Sequence, residues 1–198
     1  MIKKFFTLLF FLICLGWGCP RALAGPDGLH VIAEGKYFTV WGYQGIDVQS
    51  IAAKLKFDYF LHPDNLLESE GGNRNVLAKS IDAIYLEASD ILDIHSYNYH
   101  GRIKIVLGQK EVETAFKRVY GRDFPERSVY LLQDKTIYIS GQDMTLGMLG
   151  HEIAHAIMNH YFVVPPSVKM QEILAGYVEY TLMKKTSSLP KSGQVRFE

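Results

Sequence analysis

Cysteine is almost absent from this chain of 198 residues: it has two, Cys14 and Cys19, and both lie near the N-terminus. The rest of the chain therefore contains no disulfide, no thiolate metal ligand and no cysteine nucleophile. Without covalent cross-links the fold has to be stabilised by a packed core, and the length suffices for one domain.

An excess of charge of one sign is also lacking, since 21 basic residues balance 21 acidic ones and no basic cluster occurs. A balance of this kind argues against a nucleic acid or an anionic membrane as the partner. We therefore expect no nucleic-acid partner.

Long hydrophobic runs are lacking too, apart from Phe5–Trp17, which is shorter than a membrane-spanning helix requires. Lys3 and Lys4 precede this run, and Ala22-Leu23-Ala24 follows it with the small residues of a signal-peptidase site. The pattern predicts a signal peptide over 1–24 and an exported protein, periplasmic or secreted. After removal of the signal we expect no stable membrane insertion.

A lipid anchor on Cys19 is the alternative to soluble export. The preceding Gly16-Trp17-Gly18 matches the leucine-led lipobox poorly, so soluble export is favoured. At the other end, residues 186–198 are polar and are predicted to form a disordered tail. Residues 25–185 are then the single folded domain.

Hydrophobic periodicity predicts an α+β fold, with a small mixed sheet packed on helices. The predicted elements are a hairpin over 29–41 turning at Glu34-Gly35, a helix over 47–60, a loop over 65–75, a helix over 76–94, a strand over 102–107, a helix over 110–120 ended by Gly121, strands over 128–132 and 136–140, a helix capped by Asp143 or Thr145, and a helix over 168–184 capped by Ser167.

The most informative motif is His151-Glu152-Ile153-Ala154-His155. No proline interrupts the surrounding run from Met144 to Tyr161, so we expect the motif to lie on a helix. On a helix, two histidines four residues apart lie on one face and can bind one metal ion. Glu152 points toward the same cleft, where it can hold a water and take its proton. The motif therefore predicts a metal site with a general base beside it.

Glu172 is the candidate third ligand, since it lies in the first turns of the following predicted helix. Sixteen residues separate it from His155, which is enough to finish one helix and bring the next back alongside it. Two histidines and a glutamate leave one position open on Zn²⁺, the arrangement of hydrolytic rather than structural sites. His151, His155 and Glu172 are therefore the predicted zinc ligands.

His160 is a poor alternative ligand. It follows His155 by five residues, so on a continuing helix it faces about 140° away. The metzincin pattern requires a glycine break and a histidine six residues on, where this chain has Tyr161. A role for His160 beside the ligands or the substrate stays open.

Gly147 and Gly150 lie inside the predicted metal helix, and each costs about 1 kcal/mol relative to alanine. Ala175 and Gly176 are likewise small and follow Glu172 by one turn. We expect the two helices to cross closely at these residues, which would bring Glu172 to the metal.

These motifs resemble those of gluzincin zinc metallopeptidases. The resemblance is to the compact peptidase MA-like domains and, more distantly, to the core of alanyl-aminopeptidase-type enzymes. It depends on residues 151–155 and on Gln171–Glu179, which is similar to the family's E-G-x-A-x-Y-x-E run; in motif it covers about 128–183. Gly176 replaces the aspartate with which thermolysin-like enzymes steady a zinc histidine.

The resemblance implies a zincin-like fold in which His151, His155 and Glu172 bind zinc and Glu152 is the general base. It also implies that an edge strand before the metal helix pairs with an extended peptide, and 129–133 is our candidate strand. The expected function is hydrolysis of peptide or protein substrates outside the cytoplasm. A non-catalytic zinc- or peptide-binding module is the alternative, and an interaction domain without metal is a weaker third.

Catalysis also needs a hydrogen-bond donor for the developing oxyanion, and the spacing of the sequence does not single out one residue for this role. The candidates near the motif are Tyr161, His160, Tyr177 and Tyr180. Of these, Tyr177 and Tyr180 are expected to lie in the core or beside the ligands.

Overall fold

The computed structural model of the protein describes residues 27–55 and 72–186. The predicted signal peptide and residues 187–198 of the predicted tail lie outside these residues, as do residues 56–60 of the predicted helix over 47–60. The domain boundaries predicted at the two ends of the chain therefore stay predictions.

The described residues form five strands and five helices. The strands are β1 (His30–Glu34), β2 (Phe38–Gly42), β3 (Gly101–Val106), β4 (Ser128–Leu131) and β5 (Thr136–Ser140). The helices are α1 (Val48–Lys54), α2 (Gly72–Leu92), α3 (Gln109–Tyr120), α4 (Leu146–Tyr161) and α5 (Val168–Lys185). Among them no helix combines the length and the apolar composition needed to cross a membrane.

The strands make one mixed sheet in the order β1-β2-β3-β5-β4. β1 and β2 form the predicted antiparallel hairpin, β3 runs parallel to both β2 and β5, and β4 returns antiparallel beside β5. The α+β class with a small mixed sheet is thus confirmed. Within the described residues, β4 is an edge strand because only β5 pairs with it.

Alternation along β4 divides its side chains between the two faces of the sheet. Val129 and Leu131 are buried against α3, in a cluster with Val112 and Phe116. Tyr130 instead packs against the main core, which α2, α4 and α5 cover. Ser128, two residues before Tyr130, shares this second face, and so the start of the edge strand lies beside α4.

Most predicted element boundaries agree with the structure, and caps explain the helix starts. Asp47, Thr145 and Ser167 each accept a backbone N–H of the first helical turn with their side chains. Gly121 ends α3 in the left-handed conformation, as expected. Two predictions were wrong. α1 ends at Lys54, and residues 72–75, predicted as loop, are the first turn of α2.

The close crossing of α4 and α5 is confirmed, except that Gly176 does not contribute to it. A Cβ atom on Gly150 would overlap Leu182 Cδ1, and one on Gly147 would come within 2.9 Å of Met183 Cγ. Gly176 faces open space, although Ala175 is fully buried. Gly147 and Gly150 in α4 thus admit large side chains from α5, and Gly176 takes no part in the approach.

Candidate metal centre

α4 places the two histidines of the motif on one side of the helix. Ile153 and Ala154 between them are fully buried and fix the orientation of the helix against the core. The rings of His151 and His155 are partly buried, and their Nε2 atoms lie 3.2 Å apart. One helical turn thus brings two ligand nitrogens to a single point, as the spacing predicts.

α5 brings Glu172 to the same point from the opposite side. One carboxylate oxygen lies 3.4 Å from His151 Nε2, and the other lies 3.5 Å from His155 Nε2. The ligand atoms of the three residues all lie within 4.8 Å of one another. The Glu172 side chain is 55% exposed, so this side of the site is open to solvent.

Two further residues of α5 hold the histidine rings through their Nδ1 atoms. Glu179 Oε2 lies 3.1 Å from His151 Nδ1, and Gln171 Oε1 lies 3.4 Å from His155 Nδ1. Gln171 is itself fixed, because its Nε2 donates to Pro166 O and its Oε1 accepts from Asn159 Nδ2, each at 2.8 Å. Both rings therefore have a hydrogen-bond partner on the side away from the site.

These contacts determine which ring nitrogens are free to bind a metal. A carboxylate only accepts hydrogen bonds, so Nδ1 of His151 carries the hydrogen. The amide oxygen of Gln171 requires the same of His155. In the neutral rings both Nε2 lone pairs then face each other and the carboxylate of Glu172, a repulsion that either a proton on one Nε2 or a metal ion between them relieves.

The separations also suit a metal ion of the size of zinc. With bonds of about 2.0–2.1 Å and tetrahedral angles, two ligand atoms of zinc lie about 3.3 Å apart. Here the two Nε2 atoms lie 3.2 Å apart, Oε2 of Glu172 lies 3.4 Å from His151 Nε2, and Oε1 lies 3.5 Å from His155 Nε2. With one atom taken from each residue, the ligand atoms lie within 4.8 Å of one another. The donor set of two imidazoles and a carboxylate leaves one position open, so the residues fit the zinc ion that the sequence predicts.

The electrostatics of the site also favour a cation. Burial lowers the pKa of His151, but the hydrogen bond to Glu179 and the charges of Glu152, Glu179 and Glu172 outweigh burial and raise it overall. Burial and the neighbouring His151 lower the pKa of His155. Three carboxylates thus surround two rings, of which His155 is the more readily neutral ligand.

Glu152, the predicted base, is buried between α4 and the edge strand, with 6% of its surface exposed. Its Oε1 accepts a hydrogen bond from Ser128 Oγ at 2.7 Å, and the backbone N–H of Tyr130 also donates to the carboxylate. Burial raises its pKa to about 7, although both hydrogen bonds and the charge of His151 act in the opposite direction. A carboxyl group of this kind can both take and return a proton near neutral pH.

The edge strand presents backbone groups next to Glu152. Arg127 O accepts from Ser140 N at 2.9 Å, so the backbone groups of Arg127 point toward β5. Because orientation alternates along an antiparallel ladder, those of Ser128 and Tyr130 point away from β5, to the free edge. An extended chain lying there would run directly past the carboxylate of Glu152.

The structure brings together all four predicted site residues and adds partners that sequence reasoning missed. Glu179 follows Glu172 by seven residues, two helical turns, so their shared face was a usable signal. Gln171, Asn159 and Ser128 offered no such signal.

The exposure of the tyrosines of α5 rules out the core, one of the two places expected for them. Tyr177 and Tyr180 are 57% and 51% exposed, respectively, and do not belong to the core. His160 lies against the ring of Tyr99 and near Asn98 Oδ1, and no described contact joins it to His151 or His155.

Comparisons with known protein families, with curated proteins and with solved structures found no match.

Proposed function

We propose that this protein is a zinc-dependent peptidase of the gluzincin type that acts outside the cytoplasm on peptides or proteins. His151, His155 and Glu172 would hold the ion, and Glu152 would act as general base. The observation that carries the proposal is the convergence of His151, His155 and Glu172, whose ligand atoms lie within 4.8 Å of one another beside the buried Glu152. When bound, zinc would act as a Lewis acid on the scissile carbonyl and lower the pKa of water.

The residues of the chain would do the rest of the chemistry. Glu152 takes a proton from the attacking water, whose oxygen bonds to the carbonyl carbon of the substrate. As the carbon–nitrogen bond breaks, Glu152 returns the proton to the leaving amine. Glu179 and Gln171 keep the two imidazoles oriented through their Nδ1 atoms, as partners of metal-binding histidines generally do.

The edge strand β4 is the proposed binding site for the substrate backbone. The carbonyl and N–H of Ser128 and the carbonyl of Tyr130 would pair with an extended peptide, whereas the N–H of Tyr130 already donates to Glu152. The candidate segment therefore shifts from 129–133 to 128–130, at the start of β4. A zincin-like relationship of the fold is part of the same proposal, supported by the antiparallel edge strand next to the metal helix.

The test is to load the purified protein with zinc and incubate it with an unbiased peptide mixture, identifying products by mass spectrometry. The control is Glu152→Gln, which keeps the size of the side chain and removes its basicity. We expect cuts by the wild type that the variant does not make. Zinc bound at one per chain without any cut would instead support the alternative, a zinc- or peptide-binding module.

A further inference from the structure

Ser128 contacts the proposed base although it is distant from it in sequence. It is the first residue of β4, and its hydroxyl donates to Glu152 Oε1 at 2.7 Å across the boundary between sheet and helix. Its backbone groups belong to the free edge at which the substrate would lie. Ser128 therefore contacts the proposed base and also belongs to the strand edge along which the substrate would bind.

A buried carboxylate needs such a contact to keep one orientation. The Glu side chain has three rotatable bonds, and its 6% exposure leaves little water to satisfy its oxygens. The described donors are the hydroxyl of Ser128 and the N–H of Tyr130, both from β4. The position of the carboxylate is thus set by the edge strand, not by α4 alone.

We propose that Ser128 is a positioning residue that holds Glu152 in register with a substrate bound along β4, an inference that rests on the proposed function. The side chain of Ser128 holds the base, and its backbone faces the substrate. Ser128 therefore fixes the distance between the carboxylate of Glu152 and a substrate bound along β4. The N–H of Tyr130 cannot supply this alone, since a single donor leaves the carboxylate free to rotate about it.

The chain offers a closely matched control in Ser140, on the neighbouring strand. Its hydroxyl donates to Asp143 Oδ2, also at 2.7 Å, and Ser140 is fully buried. Replacing either serine by alanine deletes a serine–carboxylate hydrogen bond, but Ser140 and Asp143 contact Arg127, and no described hydrogen bond or ion pair joins either of them to Ser128 or Glu152. Because Ser140 is the more buried serine and its hydroxyl also accepts from Asp143 N, Ser140→Ala should cost at least as much stability as Ser128→Ala without lowering turnover.

The first experiment measures kcat and KM of zinc-loaded variants on a peptide that the wild type cleaves. A hydrogen bond to a charged group contributes about 1.5–3 kcal/mol, which corresponds to about a 10- to 100-fold change in rate. We expect Ser128→Ala to lower kcat by about this factor with KM nearly unchanged. Ser128→Thr keeps the hydroxyl and should restore most of the rate, while Ser140→Ala should leave kcat unchanged.

The second experiment needs neither zinc nor turnover. Denaturation midpoints of the metal-free protein are measured for Ser128→Ala, for Glu152→Met and for the double variant. Methionine keeps the side-chain length and removes both oxygens. We expect the double variant to lose less than the sum of the single losses, whereas Ser140→Ala with Glu152→Met should be additive.

The outcomes separate this inference from the proposed function. A wild type that cleaves peptides, with Ser128→Ala equally fast or with no coupling to Glu152, would overturn the positioning role and leave the peptidase proposal intact. A zinc-loaded wild type that cleaves nothing would overturn the peptidase proposal, and the positioning role with it.

Discussion

The crossing of α4 and α5 can be perturbed by one methyl group, through Gly150→Ala. Glycine inside a helix is about 1 kcal/mol less favourable than alanine, so in open surroundings the substitution stabilises. Here the added Cβ would overlap Leu182 Cδ1 and lie 3.8 Å from Val178 Cγ1. Leu182 is fully buried, so its side chain cannot rotate away into solvent.

The balance of the two effects gives the expected sign. Over-packing a buried contact costs about 1–3 kcal/mol. Set against the gain of about 1 kcal/mol in helix propensity, Gly150→Ala should lower the free energy of unfolding by about 1 kcal/mol. Displacement of α5 also moves Glu172 relative to the histidines, and so zinc affinity should fall.

Gly176→Ala is the matched control, since Gly176 is also inside a helix but a Cβ there meets nothing within 4 Å. It should raise the free energy of unfolding by up to about 1 kcal/mol and leave zinc affinity unchanged. The two variants then differ by about 2 kcal/mol, or about 4–8 °C in Tm for a domain of this size. Thermal unfolding with competitive zinc titration measures both; Gly150→Ala as stable as Gly176→Ala would refute the close-crossing argument.

Three further predictions concern the metal and its surroundings. Glu152→Gln should keep one zinc per chain, measured by metal analysis, and lose peptide hydrolysis by about 10²-fold or more; retained turnover would contradict its role as base. Glu179→Ala should weaken zinc binding about 10- to 100-fold in a chelator competition, and Glu179→Gln less, because the amide oxygen still accepts from His151 Nδ1. Removal of metal by a chelator should lower Tm, and zinc at about 100 times its Kd should restore about 2.7 kcal/mol; an unchanged Tm would argue for the metal-free interaction domain.

The parts of the fold that sequence reasoning predicted are those encoded over a few residues. The hairpin follows from local alternation around Glu34-Gly35, and Asp47, Thr145 and Ser167 begin helices because each side chain caps its own first turn. The order of the strands in the sheet, in contrast, is not encoded over a few residues. That β3 lies between β2 and β5 depends on pairings between distant segments, for which one sequence holds no local signal.

The residues of the site likewise differ in whether a local sequence signal predicts them. His151, Glu152, His155 and Glu172 were predicted because each belongs to a helix whose period places it on a known face. Of the two places expected for Tyr177, the core was wrong, since an aromatic residue in a helix flanked by apolar neighbours has no sequence mark of facing solvent.

The contact of Ser128 with Glu152 could not be predicted from helical spacing, whereas the approach of the three proposed ligands could. The ligands lie on two helices joined by a short connection, so helical spacing and one crossing suffice to bring them together. The base depends on where an edge strand lies against α4, which follows from the whole order of the sheet. A chain with the same motif but a shifted β4 would keep the three ligands and lose the donor to Glu152. Under the proposed function, substitutions in β4 should therefore impair turnover while leaving zinc binding intact.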